Sequence, residues 1–112
     1  MMIVFEGFEF CIVQNYNESM RINKHLKIHG RVQGVGFRYF TVQQAKRLSL
    51  TGWVANKPDG TVETLLQGNR SDVDEMIARL RRGPIAANVT DIEEVEEPGY
   101  PDERFDTFSV RR

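Results

Sequence analysis

Five residues carry the chemistry that this sequence offers. Gly30, Gly34 and Gly36 fall within seven positions of GRVQGVGFRYF, Arg38 stands two places after the last of them, and Asn56 lies eighteen residues beyond the arginine. A loop that feeds a helix start presents backbone N–H groups with no intrahelical partner, and the positive end of the helix macrodipole lies behind them. Such a terminus attracts oxyanions, phosphate above all. Glycines let the backbone curl close to the anion so that successive N–H groups converge on it. An arginine in the first helical turn adds a fork to two of its oxygens. The spacing matches neither the dinucleotide fingerprint nor the Walker loop. Taken singly, each feature has a plainer reading: the glycines suit an ordinary strand-to-helix turn, Arg38 a solvated charge, and Asn56 a turn cap that bonds its own backbone.

The elements that must position these residues are legible around them. KHLKIHGR alternates Leu26 and Ile28 with His25, Lys27 and His29 in the two-residue period of a half-buried strand. After the glycine loop, Phe37, Phe40, Ala45 and Leu48 recur at helical spacing. TGWVANK and TVETLLQG read as strands joined by the tight turn PDG, which forms an antiparallel hairpin. Val73, Met76, Ile77 and Leu80 mark a second helix that Ser71 can cap and Gly83-Pro84 ends. A fourth strand falls in NVTDIEEVEE and a short fifth in FSV. The order β-α-β-β-α-β predicts an α+β, ferredoxin-like sandwich: an antiparallel sheet of four to five strands with two helices on one face.

The chain has 112 residues, enough for one domain and one core. Residues 1–22 are set apart as an N-terminal extension of open order, within which residues 1–19 read either as an added strand or as a stretch upstream of a start at Met20. Residues 23–112 form the domain. Fifteen basic residues against sixteen acidic ones give a net charge of −1, so no long-range field gathers a polyanion or an anionic membrane. Neither nucleic acid nor membrane is expected as a partner. Cys11 is the only cysteine, which rules out an internal disulfide and suits the cytoplasm. His25 and His29 are the only histidines, with no ligand spacing around them, so neither metal nor other cofactor is expected. They share a strand face with Lys27 and are expected to be partly exposed. Trp53 is assigned to the core or the sheet, and Tyr39 either flanks the pocket or covers the first helix. Arg79, Arg81 and Arg82 complement the second helix dipole. The run DIEEVEE reads as an edge strand guarded by charge.

GRVQGVGFR, followed at that separation by GWVANKPDGTV, closely resembles the two signature segments of the acylphosphatases, and the ending FDTFSVRR resembles that family's last strand. The resemblance spans about Lys24 to Arg111. It implies the ferredoxin-like fold and a metal-independent hydrolysis of acyl phosphates to a carboxylate and inorganic phosphate. Arg38 then matches the phosphate-binding catalytic arginine and Asn56 the asparagine that orients the attacking water. Gln33, Gly34, Val35, Gly36 and Phe37, with Arg38, match the phosphate cradle. The segment before the domain departs from the family. A monomer that takes a small acyl phosphate is expected, with inorganic phosphate as product or inhibitor. Two competing readings share the topology. One is a non-catalytic domain of this kind that binds phosphate or carbamoyl phosphate, as in hydrogenase-maturation proteins. The other is an RNA reader, whose aromatic strand motif VGFRYF echoes only faintly and from a helix start.

Overall fold

The computed structural model describes residues 21–95 and 103–112. The expectations for residues 1–20 lie outside the described residues. Strand β1 (Arg21–Arg31) begins two residues ahead of the boundary drawn at 22/23. Helix α1 (Phe37–Arg47), β2 (Thr51–Asn56), β3 (Val62–Asn69), α2 (Arg70–Arg82), β4 (Asn88–Glu94) and β5 (Phe108–Val110) follow. They build one five-stranded sheet in the order β4-β1-β3-β2-β5. The ladders β1/β3, β1/β4 and β2/β3 are antiparallel, whereas β5 joins the free edge of β2 in parallel. This is the ferredoxin-like α+β sandwich.

Alternation decides which side chains meet the helices. Ile28 of β1, Val62 of β3 and Asn56 of β2 stand in one cross-strand row. Residues directly opposite in a ladder project to the same face. Ile28 and Val62 are fully buried in the core with Phe37, Ala45, Val73, Met76 and Leu80 from the two helices. Asn56 therefore projects to the helix side of the sheet. Trp53, Ala55 and Leu65 project to the other side, where Phe105 covers them and the Arg111 guanidinium lies 4.6 Å from the Trp53 ring. Gln67 fastens that cover: its Nε2 donates to the Glu103 carbonyl and its Oε1 accepts from the Phe105 N–H.

Two expectations are corrected. His25 is buried, not partly exposed, because neighbouring strands supply what strand alternation along β1 cannot reveal. Glu63 of β3 bonds its Nε2 at 2.9 Å, and Trp53 of β2 meets it edge-on with ring centroids 5.3 Å apart. At α2 the capping position is Asn69, in extended backbone, while Ser71 already lies inside the first turn. The dipole of α2 is met by Asp72 at its start and by Arg79, Arg81 and Arg82 at its end. Arg79 also donates to Gln44 of α1 at 2.9 Å, which ties the two helices together.

Candidate active site

Strands β1 and β2 both run antiparallel to β3, so their C-terminal ends emerge at the same end of the sheet with one strand between them. At about 4.8 Å per strand spacing, the loop after β1 and the tip of β2 start only ~10 Å apart. The β2–β3 turn at that end is internally fixed. The Gly60 N–H donates to the Lys57 carbonyl and the Lys57 N–H to the Thr61 carbonyl. Asp59 Oδ1 accepts from both the Thr61 hydroxyl, at 2.6 Å, and the Thr61 N–H, while Lys27 pairs with Asp59 Oδ2 at 3.0 Å. The Thr61 hydroxyl, then the Lys27 ammonium, hold the Asp59 carboxyl well below the usual carboxylate range, and the same carboxylate raises Lys27.

Gln33 closes the gap between loop and turn. Its Nε2 donates to the Lys57 carbonyl at 2.8 Å and to the Thr61 carbonyl at 2.9 Å, which occupies both amide hydrogens. Gly34 and Gly36 follow with φ of 75° and 80°, values that side chains of L-residues rarely adopt. No atom would touch a Cβ at either position, so glycine is required there by dihedral angle and not by space. Between them Val35 is half-buried against the core. Phe37 opens α1 with its ring fully buried and its carbonyl accepting from the Thr41 hydroxyl at 2.8 Å. That anchor fixes the helix axis behind the loop.

The start of α1 is left open. Gly36 occupies the capping position in left-handed backbone, no side chain caps the helix, and no acidic residue stands in its first turn. The first intrahelical bond runs from the Phe40 N–H to the Gly36 carbonyl, so the N–H groups ahead of it have no helical partner. The half-buried Arg38 makes no ion pair or side-chain hydrogen bond among the described residues. Asn56 Oδ1 is buried and has no hydrogen-bond partner among the described residues. The turn-capping alternative for Asn56 is therefore not what the structure shows.

These groups share one cleft of about 390 Å³, lined by Gly34, Gly36, Phe37, Arg38 and Asn56 among others. The fold thus brings together the two matched side chains that the sequence could only relate by spacing. Gln33 and Val35 belong to the loop but not to the lining: the first braces it, the second roots it. Reading the sequence missed Val32, Val42, Val110 and Arg112, which also line the cleft. Val42 was within reach, four residues after Arg38 on the same helix face. Val110 and Arg112 carried no signal, because only the parallel pairing of β5 with β2 brings them there. Among the described residues no group of three or more histidine, cysteine or acidic side chains is disposed to hold a metal ion. No helix among them is long and apolar enough to cross a membrane.

Comparisons with known proteins give the family. A family model described as Acylphosphatase matches residues 24–110. The chain is 51% identical over 84 residues to the acylphosphatase of Acidiphilium cryptum, which spans 70% of this chain and 92% of that protein. The crystal structure of the Bacillus subtilis acylphosphatase superposes with a TM-score of 0.74 at 35% identity, over 83% of this chain and 100% of that one. HypF of T. kodakarensis contains a similar unit, with a TM-score of 0.70 and 31% identity, but the match covers only 12% of that chain. Agreement over nearly the whole length of the stand-alone enzymes does not favour the non-catalytic alternative. A motif pair, a fold and a family match that coincide over the same residues lead to one assignment: this chain belongs to the acylphosphatase family.

Proposed function

We propose that the chain splits acyl phosphates into a carboxylate and inorganic phosphate by in-line attack of water on phosphorus, with Arg38 and the loop amides holding the phosphoryl group and Asn56 holding the water. Family membership supports the reaction. One observation carries the division of labour: the buried, unpartnered Oδ1 of Asn56 lies in the same cleft as Arg38 and an uncapped helix start. A buried acceptor without a partner costs about 1–3 kcal/mol, which a bound water relieves.

The leaving group is a carboxylate whose conjugate acid has a pKa of about 4, so it departs as a stable anion at neutral pH. No general acid is needed. In a loose phosphoryl-transfer transition state little bond to water has formed, so a strong general base is dispensable as well. What remains is positioning and stabilisation of charge. The N–H groups of Gly34 through Arg38 and the Arg38 guanidinium answer the three non-bridging oxygens. The side chain of Gln33 serves by bracing and its backbone by joining the cradle. Asn56 accepts a hydrogen bond from water and turns a lone pair towards phosphorus, but an amide cannot take the proton. The P–O bond breaks with its electron pair on the carboxylate, and the water proton leaves with phosphate or solvent. No step calls for a metal or other cofactor. The reading is completed by a monomer acting on a small acyl phosphate in the cytoplasm, which the lone Cys11 suits.

The test is turnover of acetyl and benzoyl phosphate with EDTA present. Asn56→Ala is expected to lower kcat about a hundredfold or more while phosphate still inhibits with nearly its original affinity. Arg38→Ala is expected to lose turnover and phosphate inhibition together. Normal kcat in Asn56→Ala would refute the water-holding role.

A further inference from the structure

The cleft is larger than the phosphoryl chemistry requires. At about 30 Å³ per water-sized group, a phosphoryl group with four oxygens and one attacking water fills roughly 150 Å³. The cleft holds about 390 Å³. Beyond the cradle it is walled by Tyr39, Val42 and Val110, over the buried Val32 and Phe37. Three large hydrophobic side chains are exposed among the described residues, and two of them, Tyr39 at 71% and Val110 at 38%, face this one cleft. The third, Ile85, lies elsewhere. Exposed apolar surface gathered at the mouth of a polar site marks a ligand surface.

We infer that Tyr39, Val42 and Val110 form an acyl subsite that selects apolar, above all aromatic, acyl groups over small or charged ones. This rests on the acyl phosphate reading of the same cleft. The occupant is fixed by connectivity: one bridging oxygen joins the acyl carbon to the phosphorus, so whatever the cradle grips carries its acyl group against the adjoining wall. Tyr39 follows Arg38 directly, and Val42 stands one turn further along α1. The Tyr39 hydroxyl accepts a hydrogen bond from Gln43 Nε2 at 3.0 Å, which holds the ring along the helix as a ready face for stacking. Val110 closes the wall from β5. Arg112 is the one further cation lining the cleft, and it defines the rival occupant, an acyl chain that ends in a carboxylate.

Acetyl, benzoyl and succinyl phosphate separate these cases. An apolar contact beside the reacting centre is made equally in ground and transition states, so it acts on KM and leaves kcat alone. We expect benzoyl phosphate to exceed acetyl phosphate about fivefold to tenfold in kcat/KM, through KM, from partial cover of one aromatic ring. Tyr39→Ala should lower the benzoyl-to-acetyl ratio about fivefold and Val110→Ser about twofold. Ile85→Ala, also exposed but remote from the cleft, should leave the ratio where it was. A wild-type ratio near one that Tyr39→Ala does not move would overturn the subsite and spare the hydrolase reading. So would preference for succinyl phosphate that disappears in Arg112→Gln, since the cleft would then be reading charge. A chain inert towards all three substrates would refute the hydrolase reading itself, and the subsite with it.

Discussion

Replacing Gln33 by alanine removes the two hydrogen bonds, 2.8 and 2.9 Å long, that tie the glycine loop to the β2–β3 turn. Neither carbonyl is orphaned by the change. The Lys57 carbonyl keeps the Gly60 N–H and the Thr61 carbonyl keeps the Lys57 N–H. The loss is therefore that of two ordinary neutral bonds without an unsatisfied acceptor, about 1–2 kcal/mol in total. From a domain stability of about 5–15 kcal/mol this leaves about 99% or more of the chains folded. Population of the native state cannot then account for a large fall in activity. Geometry can. The same bonds hold the cradle against the strand end that carries Asn56, and a displacement of about 1 Å between reacting groups can cost on the order of a hundredfold. Gln33→Ala is expected to lower kcat by about tenfold or more, with a denaturation midpoint shifted only by the smaller amount. Gln33→Glu adds a readout that a purely structural brace would not move. Its ionised carboxylate has no hydrogen to donate and faces two carbonyl oxygens, whereas the protonated form recovers one bond. Activity relative to the wild type should therefore rise as pH falls towards the carboxyl pKa, ordinarily about 4.3 and raised by those carbonyls. Steady-state kinetics across about pH 4 to 7, beside urea titrations, test both. A shifted midpoint with kcat and KM unchanged would refute the bracing role in catalysis.

Acid stability depends on Asp59. Its carboxyl is held below its unfolded value by the Thr61 hydroxyl first and by Lys27 second, so the stability it contributes is present above about pH 4 and is lost as pH falls towards the depressed folded value. In thermal melts Asp59→Asn should be less stable than the wild type near neutrality and should show a flatter decline below about pH 4; parallel curves would show that the carboxylate contributes nothing. The glycines divide by cause. Gly34→Ala meets open space and only an unfavourable φ, about 1–2 kcal/mol by denaturation, whereas at Gly52, with φ 135°, a Cβ would press into the Leu65 carbonyl of the adjoining strand and no cooperative melt is expected.

Much of this was legible in the sequence because it is local. Alternation in β1, the hairpin turn at PDG and the helical spacing from Phe37 each depend on residues within one element. Arg38 and Asn56 were related by their separation and by resemblance, but their meeting was not derivable. It depends on β3 inserting between β1 and β2 with a register that sends Ile28, Val62 and Asn56 to one face. His25 was misjudged for the same reason, since its cover comes from Glu63 and Trp53 on other strands. The place of Val110 in the cleft wall was invisible because it enters only through the parallel edge pairing. Asn69 in place of Ser71 at the start of α2 is a smaller error, of two residues, where several polar side chains compete for one helix terminus.

The helix that begins at Phe37 is, by itself, unfinished. Serine, threonine, aspartate and asparagine are the side chains that usually cap a helix start; this one begins on a glycine with no side-chain cap. On the proposed function, an oxyanion bound there would supply the missing acceptor. Folding and ligand capture would then draw on the same unpaired amides at the start of α1.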